Sequence, residues 1–292
     1  MIKKMNIISS NPVLWEIISF KTEDGIELFG GLTGSKGSDT AIIYIHGMTD
    51  NFYEGEKVKA LEKLAKKQKK GFLSFNNRGA GLITLIGNGF YGTCMEKFEE
   101  CLYDIDAAIK FLKQKNYKKF ILIGHSTGCQ KITYYQSKRK RKDIKALILM
   151  APADDIGFQK KILGKKYEES VKHAGKMIQK GYGDHPVPEK YKTPMFSAKR
   201  YYDLYSEKSI EAHIFNYAEP LNEVEKLTIP ILAIFGAQEQ YAAIPPKKML
   251  EMIARHARNK KSKTVLIAEA EHSFHGKEKD LVQAVKFFLT TL

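Results

Sequence analysis

The chain has 292 residues, of which 43% are hydrophobic, and 48 Lys and Arg against 33 Asp and Glu give it a net charge of +15. This length and apolar fraction suit one large domain with its own core, and no window approaches the ~18–20 uninterrupted apolar residues that a membrane span needs. Three cysteines form an odd, unpatterned set, which argues against a disulfide framework.

The N-terminus also lacks the pattern of a secretory signal. Lys3 and Lys4 are followed by polar residues and Pro12, which break the apolar run that a signal peptide needs. Together with the cysteine usage, this predicts a cytoplasmic protein.

The positive charge is concentrated in four clusters, Lys66–Lys70, Lys113–Lys119, Lys138–Lys142 and Arg255–Lys263. Each cluster falls where we expect a sheet-packing helix to end, and cations are favoured at helix C-termini. In a parallel sheet these helix ends lie opposite the carboxyl ends of the strands, where sites form. We therefore interpret the charge as solvated surface and expect no nucleic-acid partner.

The first half of the chain opens with an antiparallel hairpin and continues in alternating strands and helices. The hairpin turns through Asp24-Gly25, a strong short-range turn signal. Residues 82–94 are rich in glycine and are predicted to be a loop near the site. The predicted strands are Leu14–Lys21, Ile26–Leu32, Ala41–Ile45 and Phe72–Phe75, and the predicted helices are Glu54–Lys70 and the strongly amphipathic Cys94–Lys115.

The second half repeats this alternation around one interruption. The predicted strands are Phe120–Ile123, Ile144–Met150, Ile229–Gly236 and Thr264–Ala268, and the predicted helices are Cys129–Arg139, Pro246–Asn259 and one from Lys277. Residues 152–222 offer no strong strand and gather tyrosines, which predicts a helical lid. The whole pattern predicts a single α/β domain over residues 1–292. Its central sheet has about eight mostly parallel strands, with helices on both faces and the lid inserted over residues 152–222.

The run Gly124-His125-Ser126-Thr127-Gly128 stands between a predicted strand and a predicted helix. In that context a G-x-S-x-G turn holds the serine in a strained conformation and projects its hydroxyl above the sheet edge. The N-terminus of the following helix adds positive potential where an oxyanion would develop. We therefore interpret Ser126 as a nucleophile.

A serine nucleophile needs a base, and the base needs an acidic partner. His272 directly follows the last predicted strand and is favoured as the base over its neighbour His275. Glu239 follows the preceding strand and is favoured as the acid, with Asp154 or Asp155 as the alternative.

The backbone amides of Met48 and Thr127 are the candidate oxyanion hole. Cys129 lies one helical turn beyond Ser126 and is interpreted as a packed small residue. The histidines and cysteines lack metal-ligand spacing, and no dinucleotide fingerprint is present, so neither a metal nor a cofactor is expected.

These motifs together resemble the α/β-hydrolase superfamily over the whole chain. The motifs are His46-Gly47-Met48, Asn77 to Gly81, Gly124 to Gly128 and Glu271 to Phe274. The longer run from Gly124 to Gln130, with Tyr134 and Tyr135 after it, resembles a poorly characterised branch of fungal and bacterial proteins grouped with siderophore-type and serine esterases.

The resemblance implies a cofactor-independent Ser-His-acid hydrolase of carboxylic esters that works through an acyl-enzyme. The expected partner is a small-molecule ester, and the aromatic side chains of the predicted lid favour one with an apolar or aromatic portion. An acyltransferase, a thioesterase, an amidase or a non-catalytic binding homologue remain alternatives on the same fold. The sequence does not indicate an oligomeric state.

Overall fold

The computed structural model describes residues 14–34 and 37–292. The first thirteen residues, which include the segment considered for a signal peptide, and residues 35 and 36 lie outside these ranges. Within them, no helix combines the length and the apolar character needed to cross a membrane.

Eight strands of the described chain form one sheet in the order β1-β2-β4-β3-β7-β8-β9-β10. The strands are β1 (Glu16–Lys21), β2 (Glu27–Thr33), β3 (Thr40–Ile45), β4 (Gly71–Phe75), β5 (Thr84–Ile86), β6 (Gly89–Tyr91), β7 (Lys119–His125), β8 (Ile144–Met150), β9 (Ile231–Gly236) and β10 (Lys263–Ile267). Strand β2 pairs antiparallel with β1 and β4, and every other pair in this sheet is parallel. The predicted sheet of about eight mostly parallel strands is therefore confirmed.

Helices pack on this sheet and fill the crossovers between its parallel strands. They are α1 (Glu56–Lys67), α2 (Cys101–Gln114), α3 (Thr127–Arg139), α4 (Asp155–Leu163), α5 (Lys166–Gln179), α6 (Ala198–Tyr205), α7 (Glu211–Ile214), α8 (Asn222–Glu225), α9 (Pro246–His256) and α10 (Glu278–Leu289). The central strands are almost wholly apolar and buried, as expected for a sheet covered on both faces.

Two local predictions were wrong. Residues 82–94 contain the antiparallel hairpin β5–β6 instead of an irregular loop. The helix predicted from Cys94 begins only at Cys101, after a 3₁₀ turn at Phe98–Glu100. The side chain of Glu96 explains this delay, because it lies buried in an ion pair with Lys131 of α3, with 2.5 Å between Lys131 Nζ and Glu96 Oε1. A tertiary ion pair therefore holds residues that helical periodicity alone would have assigned to α2.

The polar run after β4 has an architectural role at Arg78, whose guanidinium is buried. Its Nη1 donates to Asp24 at 2.9 Å and to Glu100 at 2.7 Å, and its Nε donates to Asp104 at 2.9 Å. One cation thus links the β1–β2 turn to the start of α2. Because all three carboxylates come from other parts of the chain, Arg78 fixes the loop after β4 against the core.

Residues 152–222 contain helices α4 to α7 and only the first residue of α8, and no strand of the sheet lies in this segment. Side chains of this segment form a hydrophobic cluster separate from the main core. The segment is also joined to the core by buried charge: Arg200 of α6 pairs with Glu211 of α7, and its Nη2 lies 3.5 Å from Oε2 of the same Glu96 that binds Lys131. Removing one partner of a buried pair commonly costs about 3–5 kcal/mol, so this network is a firm attachment.

The basic clusters fall at helix ends, as predicted. Basic residues occupy the last turns of α1, α2, α3 and α9. These ends lie opposite the carboxyl ends of the parallel strands, so the charge lies away from the edge where Ser126 stands.

Candidate active site

Ser126 lies at the sharp turn between β7 and α3. Its backbone has φ 54° and ψ −127°, a combination that costs a non-glycine residue of the order of 1–3 kcal/mol. His125 and Thr127 on either side are buried, whereas Ser126 is partly exposed. The turn therefore presents the Ser126 side chain to a cleft of about 700 Å³ at the carboxyl edge of the sheet.

The turn depends on Gly128, because a Cβ built there would lie 2.2 Å from the carbonyl oxygen of Ile45. We expect Gly128→Ala to lower the free energy of unfolding by several kcal/mol, about the cost of a severe core overlap. Urea unfolding would measure this. Gly34→Ala is the matched control, since its Cβ would meet only the Tyr117 hydroxyl at 3.9 Å. An unfolding free energy for Gly128→Ala within ~0.5 kcal/mol of the parent, the range of ordinary surface variation, would contradict the close approach.

His272 and Glu239 meet at the rim of the same cleft. His272 Nδ1 lies 2.9 Å from both carboxylate oxygens of Glu239. The Glu239 side chain is only 2% exposed and that of His272 10%. A carboxylate can only accept, so this contact places the Nδ1 proton on the imidazole and leaves Nε2 as the acceptor.

Neighbouring groups fix the orientation of His272. Its backbone amide donates to Gln240 Oε1 at 3.0 Å, and its carbonyl accepts from His125 Nε2 at 3.0 Å. The Tyr241 ring packs edge-on, 4.8 Å from the imidazole centroid. Sequence reasoning missed Gln240 and Tyr241, although their position directly after Glu239 is a usable signal.

Ser126 and His272 line one cleft, but no hydrogen bond joins the serine hydroxyl to the imidazole among the described residues. An ideal Cβ at Gly47 would lie 3.4 Å from Ser126 Oγ, so the hydroxyl lies close to the loop after β3. Contacts of this kind are often long in a free enzyme and shorten when substrate binds.

The structure distinguishes between His272 and His275 as the candidate base. The His275 side chain is 85% exposed and lies 4.0 Å from Glu278, and His275 does not line the cleft. His272 does line it.

The alternative acids are engaged elsewhere. Asp154 accepts from the amide of Gly157 at 3.0 Å and caps α4, whereas Asp155 accepts from Gln130 Nε2 at 2.8 Å. Of the three carboxylates that the sequence offered, Glu239 is the one bonded to His272.

Asp154 supplies a pH-dependent prediction. Burial raises its pKa from 3.8 to about 6, so the folded protein binds more protons here than the unfolded chain between about pH 4 and pH 6. The stability contribution of this group is present below about pH 4 and is lost as the pH rises through 6. An asparagine at this position cannot titrate and can still cap α4. We expect the unfolding free energy of Asp154→Asn, relative to that of the parent, to rise by up to about 3 kcal/mol between about pH 4 and pH 7. Urea unfolding at both pH values measures this difference. A pH-independent difference would contradict it.

The two amides proposed for the oxyanion hole belong to residues that line the same cleft as Ser126. Neither Met48 nor Thr127 gives its backbone N–H to an acceptor within residues 14–34 and 37–292, and both residues line the cleft. Thr127 is the first residue of α3, where amides lack intrahelical partners.

Cys129 is buried in the wall behind Ser126. Its thiol donates to the carbonyls of Gly124 at 3.2 Å and Met150 at 3.3 Å, and burial raises its pKa well above 9.0. A thiol held in this form is a packing residue and a poor nucleophile. In the described ranges, no three His, Cys, Asp or Glu side chains cluster as metal ligands would.

Two groups of side chains line different parts of the cleft. The loop after β3, the start of α1 and the end of β7 supply Asp50, Lys57 and His125. The helical segment supplies the apolar and aromatic side chains Phe158, Pro194, Phe196 and Tyr205, together with polar ones that include Asp155, Gln159 and Lys192. The sequence does not single out Asp50, Lys57 and His125 as a group, because Asp50 and Lys57 resemble ordinary surface residues near a helix start. The three side chains come together only in the folded chain.

The sheet order, the strained serine turn and the adjoining His–Glu pair define an α/β-hydrolase fold. Within that superfamily the chain belongs to the family DUF1749, described as a protein of unknown function, whose model matches residues 29–290.

Similar proteins are consistent with the α/β-hydrolase fold and carry esterase names. A Mycoplasma pneumoniae protein provisionally named esterase/lipase 2 is 26% identical over 220 residues, which is 74% of this chain and 76% of that protein. Est1E from Butyrivibrio proteoclasticus, solved with ferulic acid bound, is 20% identical with a TM-score of 0.68, covering 93% of this chain and 98% of its own. The Pyrococcus furiosus esterase Pf2001 is 19% identical with a TM-score of 0.63, covering 97% and 95%. At these identities the solved structures support the fold alone.

Proposed function

We propose that the protein is a serine hydrolase that cleaves small carboxylic esters through an acyl-enzyme. The observation that carries the proposal is the contact between His272 Nδ1 and Glu239 at 2.9 Å in the cleft that also contains Ser126 on its strained turn. This set of groups is what activation of a hydroxyl requires. The esterase names of several relatives agree with it.

The first half-reaction forms the acyl-enzyme. Ser126 Oγ attacks the ester carbonyl while its proton passes to His272 Nε2, and Glu239 stabilises the resulting imidazolium. The amides of Met48 and Thr127 donate to the oxyanion of the tetrahedral intermediate. His272 then gives the proton to the departing alkoxide, which leaves as the alcohol. Rotation of the serine side chain toward Nε2 is part of this step.

The second half-reaction releases the acid. Water gives a proton to His272 Nε2 and attacks the acyl carbon, and the collapse of the second tetrahedral intermediate returns the proton to Ser126. Each step balances in atoms and charge with the ester, water and these side chains.

We further propose that residues 152–222 form a cap over the site within a single domain. Its aromatic side chains face the cleft and suit an apolar or aromatic portion of a small-molecule ester. Ferulic acid, the ligand of the similarly folded Est1E, has such a portion.

A fluorophosphonate probe tests the proposal, because it labels only an activated serine. We expect labelling of the intact protein, an adduct on the peptide that contains Ser126, and turnover of p-nitrophenyl acetate or butyrate. A protein that stays unlabelled and turns over no ester would support a non-catalytic homologue and overturn the proposal.

A further inference from the structure

The position of Ser126 in the sheet divides its cleft into two sides. Strand β7, which leads to Ser126, lies between β3 and β8. The loop after β3 therefore lies on one side of the serine, and the segments after β8 and β9 lie on the other. An ester bound at Ser126 has one substituent toward each side.

Three polar groups, from the loop after β3, the start of α1 and the end of β7, are close to one another but imperfectly paired. Lys57 Nζ lies 3.5 Å from Asp50 Oδ2, and His125 Nδ1 lies 3.9 Å from the same oxygen. Their side chains are 7%, 18% and 5% exposed for Lys57, Asp50 and His125. Both separations exceed those of good hydrogen bonds. We call these three residues the polar wall.

His125 presents an acceptor to this wall. Its Nε2 lies 3.0 Å from the carbonyl oxygen of His272, and a carbonyl can only accept, so Nε2 carries the proton and Nδ1 has a free lone pair. Burial and the charge of Lys57 lower the pKa of His125 well below 6.5, which keeps it neutral. Nδ1 is buried without a hydrogen-bond partner among the described residues.

Lys57 presents donors to the same place. Its ammonium carries three N–H groups, and within the described chain it has the one carboxylate neighbour at 3.5 Å. Lys57 therefore offers protons beside two acceptors, Asp50 Oδ2 and His125 Nδ1.

We propose that the polar wall binds a hydroxyl group of the ester substrate, an inference that rests on the proposed ester hydrolase. A hydroxyl both accepts and donates, so it can accept from Lys57 while it donates to His125 or Asp50. A substrate carboxylate would be repelled by Asp50, and an ammonium group by Lys57. The substrate class is therefore a hydroxylated ester with its apolar portion against the cap.

The hydroxyl can belong to the alcohol or to the acyl portion, and matched ester pairs distinguish the two. Glycerol monobutyrate against propyl butyrate tests the alcohol portion. Methyl 3-hydroxybutyrate against methyl butyrate tests the acyl portion. A site that hydrogen-bonds a hydroxyl discriminates against an analogue without it, and at this partly open cleft we expect about 10–100-fold in kcat/KM for one pair.

Substitutions in the polar wall test whether it causes the discrimination between the two esters of a pair. We expect Lys57→Met, and the double variant Asp50→Asn with Lys57→Met, to bring the ratio of kcat/KM within the selected pair close to one. The double variant guards against the cost of leaving one buried charge unpaired. The ratio is taken within each variant, so a general loss of folded protein cancels. Lys59→Met is the matched control on the same helix, because Lys59 is 35% exposed and pairs with Glu56; it should keep the parent ratio.

Two results would overturn the inference alone: esters turned over with ratios near one in both pairs, or a preference that survives in both Lys57 variants. Failure to turn over all four esters, together with absence of probe labelling at Ser126, would instead overturn the ester-hydrolase proposal and this inference with it.

Discussion

Replacing Ser126 by alanine is expected to lower kcat for p-nitrophenyl butyrate by about 10⁴–10⁶-fold, the usual cost of removing the nucleophile of a serine hydrolase. The same change should abolish fluorophosphonate labelling. Alanine retains the Cβ at φ 54°, so it keeps both the backbone strain and the stability of the parent. Steady-state kinetics beside thermal unfolding would therefore separate chemistry from folding.

Ser137→Ala is the matched control for this experiment. Ser137 is buried on the same helix, but its hydroxyl donates to the carbonyl of Tyr134 at 2.9 Å, far along α3 from the cleft. It should lose at most about 1 kcal/mol of stability and keep its labelling. If Ser126→Ala retained turnover within tenfold of the parent, another nucleophile would have to be found.

The second large effect is expected at Glu239. Glutamine in its place can donate to His272 Nδ1 and so favour the wrong imidazole tautomer, and it cannot stabilise the imidazolium. We expect kcat to fall by about 10³–10⁴-fold with a smaller change in KM, since the loss concerns the transition state. Steady-state kinetics on p-nitrophenyl butyrate measure both constants.

Two neighbouring acids provide controls for Glu239→Gln. Glu271 accepts from Gln240 Nε2 at 3.3 Å and from the amide of His275 at 2.9 Å, but does not bond to His272 Nδ1; Glu271→Gln should stay within about tenfold of the parent. Asp154→Asn should do the same. A large loss in Asp154→Asn combined with a small loss in Glu239→Gln would transfer the acid role to Asp154.

The buried charges beneath the helical segment bear on how any cap could move. Glu96 lies between Lys131 of α3 and Arg200 of α6, and Arg200 also binds Glu211. Opening the segment as a whole would separate charges that are costly to leave unpaired.

The sequence determined the fold class because its signals are local and repeated. Apolar runs of strand length alternate with amphipathic helices, and the Gly124 to Gly128 run marks one particular strand–helix junction. Chain order then indicated His272 as the base and Glu239 as the acid, because both directly follow strands whose carboxyl ends lie at the same sheet edge as Ser126. These features depend on spacing along the chain, which is what a sequence displays.

The tertiary structure alone decided which side chains meet across the chain. Glu239 contacts His272, whereas Asp154 and Asp155 bond to other groups. The Glu96–Lys131 ion pair lies just before α2, which begins later than helical periodicity predicts. Asp50, Lys57 and His125 come together beside the serine. The physical reason is that buried charges and hydrogen bonds select partners by proximity in space, and no periodicity along the sequence records such contacts.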